Sequence, residues 1–102
     1  MPAYLIVDVS NVHDGPMYSR YRAAVSPGLE AAGGRYLARG GPVQVLEGDW
    51  RPGRLVVVEF GSTKGALEWW NSDAYATLRD LRIRSTSTNM VLVEGLDRGR
   101  SS

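Results

Sequence analysis

Three β-type segments of this chain are apolar at consecutive positions: Leu5-Ile6-Val7, Val56-Val57-Val58 and Val91-Leu92-Val93. Successive side chains of a strand point to opposite faces of its sheet, so a strand with one wet face alternates apolar and polar residues. These strands have two apolar faces to cover. The chain's own helices can cover one. The other would leave an apolar patch too large for a soluble monomer. A second sheet packed face to face, supplied by another copy of the chain, covers it, so the pattern predicts a homodimer with two sheets in a barrel-like sandwich.

The order of elements agrees with that reading. "AYLIVDV" (3–9) has strand composition, and "SNVHDGP" (10–16) has turn chemistry. Tyr18, Tyr21, Val25 and Leu29 then recur at helical spacing, with Pro27 predicting a kink or a restart capped by Ser26. Gly33 and Gly34 stop that helix. "RYLARGG" (35–41) reads as a strand, "VQVLE" (43–47) as its resumption, and "RLVVVEF" (54–60) as the antiparallel return after the turn "GDWRPG". Ser62 and Ser72 are placed to cap two consecutive helical pieces, 61–70 and 71–84. "STST" (85–88) reads as a linker and "NMVLVEG" (89–95) as the last strand. The order β-α-β-β-α-β, with its second helix in two pieces, is α+β and ferredoxin-like: a four-stranded antiparallel sheet with helices on one face. One domain over residues 1–96 and a polar tail over 97–102 are expected.

Composition excludes several function classes. A formal net charge of +1 gives no general attraction for nucleic acid or anionic membrane. The absence of cysteine removes disulfides, thiolate metal sites and a cysteine nucleophile. No apolar run approaches the length of a membrane span, and the N-terminus enters a strand pattern directly; a cytoplasmic protein is expected. No phosphate loop or dinucleotide fingerprint is present.

The segments "GGRYLARGG", "VLEGDWRPGRLVVVEF", "ALEWWNSDAY" and "MVLVEG" resemble, in order and over Ala3 to Gly95, the family known as domain of unknown function 1330. The resemblance implies the ferredoxin-like fold and the dimer of the dimeric α/β-barrel superfamily, whose members include cofactor-independent monooxygenases, polyketide cyclases, lactone isomerases and haem-dependent peroxidases. Gly61 stands where that family usually has proline, and the first strand–helix loop carries His13 and Gly15 where a simpler helix start is usual.

Arg39 and Glu59 are the charged residues expected inside. Arg39 either pairs with Glu47 or Glu59 and fixes the hairpin, or offers its fork to a carboxylate, phenolate or enolate oxygen. Glu59 is either that partner or a general base in apolar surroundings. Glu47 and Arg54 are expected to pair across the hairpin, on a solvated rim with Asp49 and Arg51. His13, the only histidine, is suited to proton transfer, with Asp14 beside it. One histidine without cysteine makes no metal site, and no cofactor is expected. Of Trp69 and Trp70 one is core and the other lines a pocket or the dimer seam, since neighbours on a helix face different ways. Tyr75, Asn71 and Arg82 supply polar groups above the sheet, unless Tyr75 is core with its hydroxyl satisfied. The reading is a small-molecule enzyme performing cyclisation, isomerisation or lyase chemistry on an apolar substrate bearing a carbonyl or carboxylate. Arg39 would hold an oxyanion while Glu59 or His13 moves a proton. The alternatives are a non-catalytic ligand-binding dimer, a cofactor-independent monooxygenase, and a purely structural dimer.

Overall fold

A computed structural model describes residues 1–96. The expected polar tail, 97–102, lies outside the described residues. Seven elements follow in the order β1 (Ala3–Val12), α1 (Gly15–Ala31), β2 (Arg35–Arg39), β3 (Arg54–Phe60), α2 (Thr63–Trp70), α3 (Asp73–Ser85) and β4 (Thr86–Glu94). The strands form one antiparallel sheet in the order β2-β3-β1-β4. This is the ferredoxin-like arrangement with its second helix divided between α2 and α3.

Each helix starts on a polar side chain that satisfies a free backbone N–H. Asp14 Oδ1 accepts from Met17 N at 3.0 Å, Ser62 Oγ from Gly65 N at 3.0 Å, and Ser72 Oγ from Tyr75 N at 3.2 Å. α1 runs unbroken through Pro27 rather than restarting there. Ser26 caps nothing, because its hydroxyl bonds the Tyr36 hydroxyl at 3.1 Å. Val25 and Leu29, buried on either side of the proline, hold both halves of the helix on the core.

Register divides the sheet into two faces. Leu5 lies opposite Val58 and Leu92, Val7 opposite Val56 and Met90, and Val9 opposite Arg54 and Thr88. This set meets the helices, and Leu5, Val7, Val9 and Val58 are buried there with Tyr18, Tyr21, Val25, Leu29, Phe60, Trp69 and Tyr75. The alternate set (Tyr4, Glu59 and Val93; Ile6, Val57 and Val91; Asp8, Leu55 and Asn89) points away from them. Within the chain that face is thinly covered: Val91 is 59% exposed and Val93 47%.

Two expected segment boundaries change. Residues 43–47 form no strand; Gly40 N bonds Leu55 O at 2.8 Å, and the chain then leaves the sheet until β3 begins at Arg54. "VQVL" has strand composition, but no neighbouring strand in the chain pairs with it, and Leu46 stands 93% exposed. The expected Glu47–Arg54 cross-strand pair is therefore absent: Glu47 lies in the loop, and Arg54 faces the helices. The loop's far end is fixed on the open face by Asp8, which is buried and accepts from Trp50 Nε1 and Gly53 N, each at 2.9 Å. At the other boundary, 85–88 is no linker. α3 ends at Ser85, whose hydroxyl turns back to Leu81 O at 2.6 Å, and Thr86 already pairs with Val12 of a β1 longer than expected.

Candidate functional site

Between the inner sheet face and α1 lies a cavity of about 50 Å³, walled by Leu5, Val7, Val25, Leu29, Val58 and Trp69 among others. Its walls are apolar and aromatic. Its charged lining consists of Arg22, Arg39, Arg54 and Arg82, with no carboxylate and no imidazole. Each arginine comes from a different element; Arg82 is buried, Arg54 half-buried, and Arg22 and Arg39 are exposed at the rim. Arg22 is four residues after Tyr18 on α1, Arg54 is in strand phase with Val56 and Val58, and Arg82 is two turns after Tyr75 on α3.

Arg82 is the deepest, at 5% exposure, and its Nε has no hydrogen-bond partner among the described residues. Its guanidinium lies 5.8 Å above the Trp70 ring. A buried guanidinium without a counter-charge is costly, and the described residues supply none here. Beside it the Tyr21 and Tyr75 hydroxyls bond at 2.9 Å. Burial first, then the Tyr75 phenol, push Tyr21 far above the ordinary phenol range, while Arg82 opposes the shift. Tyr21 is therefore a neutral O–H at any physiological pH. Aromatic contacts fix the group, with Tyr75 4.0 Å from Trp69 and 5.6 Å from Trp70 between ring centroids.

Beside the cavity, sharing Arg22, Arg39 and Arg54 with it, is a wider recess of about 510 Å³ also lined by Ser19 and Ala23. Arg39 lies 4.4 Å above the Tyr36 ring and donates to Arg22 O at 3.3 Å. The Arg54 guanidinium fills the space beside Gly40, where a Cβ would collide with Nη1, and its Nε is buried without a partner among the described residues. Gly40 has φ +73°, a second reason for glycine there.

The expected site residues divide accordingly. Arg82 lines the cavity. Arg39 lines its mouth, but it is exposed rather than buried and pairs with neither Glu47 nor Glu59 among the described residues. Glu59 lies on the opposite face of the sheet, where it takes an ion pair from Arg35 at 2.8 Å. His13 is outside the cavity: Nε2 meets Ser87 Oγ at 2.9 Å and Nδ1 meets Asn11 Nδ2 at 3.3 Å, while Asp14 caps α1 instead of orienting the imidazole. Asn71 is exposed and closes the end of α2, donating to Leu67 O at 2.9 Å. Of the tryptophans, Trp69 is core; Trp70 is half-buried and lines a separate groove of about 170 Å³ with Leu67 and Val91. Tyr75 is 2% exposed and is core, with its hydroxyl satisfied by Tyr21.

The sequence profile of the family described as Domain of unknown function (DUF1330) matches residues 2–96. The chain belongs to this family. Its fold is similar to that of RPA0582, a protein of unknown function from Rhodopseudomonas palustris, with a TM-score of 0.75 at 16% identity over 94% of this chain and 83% of that one. The methylated form of RPA0582 gives 0.77 at 16%, over 97% and 84%. A putative antibiotic biosynthesis monooxygenase from Nitrosomonas europaea gives 0.55 at 17%, over 95% and 100%. At such identities the likeness is one of fold. No curated protein matches the chain in sequence.

Sequence reading of this DUF1330 chain missed Tyr21, Arg22 and Arg54. The first two were visible as a helical face, Tyr18, Tyr21 and Arg22, and the third as the residue in phase with Val56 and Val58. Arg54 was instead assigned to a solvated hairpin rim.

Proposed function

We propose that this DUF1330 protein is a small-molecule enzyme acting on an apolar substrate with an enolisable carbonyl, whose oxyanion is stabilised in the cavity by Arg82 and the Tyr21 hydroxyl. One observation carries the reading: a guanidinium 5% exposed, lining a cavity without acids, with an unpartnered Nε. Cationic and neutral donors aimed at a developing negative charge lower its energy most where water is excluded. The lining supplies donors and no base, so the substrate must be acidic enough, as a 1,3-dicarbonyl or phenol is, to give its proton to solvent water or buffer, and the product carbon takes its proton back from the same source. Cyclisation or isomerisation through an enolate fits that division of labour, and Glu59 and His13 have no part in it.

Two copies are proposed to pack their open sheet faces together, burying Ile6, Val57, Val91 and Val93. The support is the exposure of that apolar face in a single chain. A second functional reading, a ligand carrier, draws on the same absence of carboxylate and imidazole from the lining.

The test is to incubate the protein with 1,3-diketones in D₂O and follow the acidic C–H by NMR, with binding measured in parallel by calorimetry. The enzyme reading expects saturable binding and protein-dependent deuterium uptake, both lost in Arg82→Met. Binding without accelerated uptake selects the carrier. No binding by any diketone or phenol rejects both.

A further inference from the structure

Arg22, Arg39 and Arg54 share the recess outside the cavity, and none forms an ion pair among the described residues. Like charges gathered in one recess repel, and nothing in its lining offsets them. They are also held in place. Arg39 is fixed between the Tyr36 ring and the Arg22 carbonyl, Arg22 lies 5.8 Å above the Tyr18 ring, and Arg54 is seated against Gly40. The buried, unpartnered Nε of Arg54 independently marks a missing acceptor. Arg82 belongs to a different element, deeper in the cavity.

Resting on the functional reading above, we infer that the substrate carries a second anionic group, a carboxylate, held at the mouth by Arg22, Arg39 and Arg54 while its carbonyl reaches Arg82. The substrate class is thus a keto acid with its two functions at opposite ends of a short apolar stretch. A cavity of about 50 Å³ admits only a few heavy atoms, so the reacting end is small and the bulk of the molecule lies in the recess. Guanidinium forks suit a planar carboxylate, which accepts two parallel N–H bonds from one arginine. The recess is open to solvent, so this contact is sensitive to salt where the buried one at Arg82 is not.

The experiment uses matched pairs of ligands. Methyl ketones of increasing chain length, and the keto acids made by adding a terminal carboxylate to each, are titrated into wild type, Arg22→Gln and Arg82→Met. Trp69 fluorescence and calorimetry report binding. In wild type the best keto acid is expected to bind about tenfold or more tightly than its ketone, in line with a charge-assisted contact. Arg22→Gln, a change at an exposed side chain, shrinks that ratio several-fold, and rising salt does the same. Arg82→Met weakens ketone and keto acid alike. Equal affinity of ketone and keto acid, or a ratio untouched by both Arg22→Gln and salt, overturns the second anion site while leaving the carbonyl site standing. Ketone affinity unchanged in Arg82→Met overturns the carbonyl site. A terminal phosphonate binding more tightly than the carboxylate of equal length overturns the choice of carboxylate.

Discussion

Arg82→Met is expected to make the free protein more stable while abolishing its affinity for oxyanions. The residue is 5% exposed and its Nε is unpartnered among the described residues. A buried orphan donor costs about 1–3 kcal/mol, more for a charged group. Methionine keeps most of the apolar stem and adapts to irregular space without a polar atom. Against this gain stands the guanidinium's place 5.8 Å above the Trp70 ring, a cation–π contact of roughly 0.5–1 kcal/mol. The balance is a stabilisation of up to about 2.5 kcal/mol, each kcal/mol raising Tm by about 4–8 °C in a domain of this size. Urea denaturation followed by tryptophan fluorescence measures it, and an unchanged m-value ascribes the midpoint shift to stability alone. A variant less stable than wild type by about 2 kcal/mol or more, a loss typical of breaking a satisfied buried contact, would refute the reasoning. The guanidinium would then be holding the fold together, and the anion site would lose its main support.

Alkaline pH gives a second handle. Tyr21 is raised above its ordinary value of 10.0 in the folded chain, chiefly by burial, so unfolding releases its proton first. Its contribution is complete below about pH 10 and falls above it, by up to about 1.4 kcal/mol per pH unit, so Tyr21→Phe should flatten the alkaline limb of stability against pH. Val91→Asp separates monomer from dimer. On an isolated chain a surface change of this kind costs within about 0.5 kcal/mol, whereas across packed sheets it should dissociate the pair, as read by sedimentation velocity; an unaltered sedimentation coefficient rejects that interface. Asp8→Ala removes two hydrogen bonds to a buried acceptor and should cost about 2–4 kcal/mol while exposing residues 40–53 to proteolysis. Trp50→Phe keeps the Gly53 bond and should cost about half as much; equal loop cleavage in wild type and Asp8→Ala would disprove the anchor. Gly40→Ala strains a φ of +73° and displaces Arg54, so it should lower keto-acid affinity with little change for the ketone, measured by the same calorimetry.

Element order, the caps of α2 and α3 and the two-sided apolar strands were legible because each rests on local chemistry: Ser62 and Ser72 at helix starts, and Val56 to Val58 without a polar interruption. Two failures have a different origin. "VQVL" has the composition of a strand, but being a strand also requires a neighbour, and the chain provides none. Arg39 and Glu59 were both expected inside, as a pair or as two arms of one site; it is Arg35 that lies opposite Glu59, and simple alternation from it would carry Arg39 to the same face. The register shifts between Tyr36 and Ala38, and after that shift Arg39 lies opposite Val56, on the helix side. A bulge turns every later side chain of its strand over, and no residue in "RYLAR" announces it. The candidate base and the candidate oxyanion holder thereby end on opposite faces of one sheet.

That inversion explains the chemistry of the cavity. The same one-residue shift that separates Arg39 from Glu59 brings Arg39 to the recess where Arg22 and Arg54 already stand. Arg54 is there because strand phase ties it to Val56 and Val58, and Arg82 because helix phase ties it to Tyr75. Four positive charges thus reach a largely apolar space from four elements, while the sheet acids Asp8 and Glu59 face the other side, held by Trp50 and Gly53 and by Arg35. Packing alone would not favour this result, since apolar residues of similar volume would fill the same positions at lower cost. On the proposed reading an anion offsets that cost, and the depth of Arg82 asks that the part of it reaching there be small and shed its water on the way in.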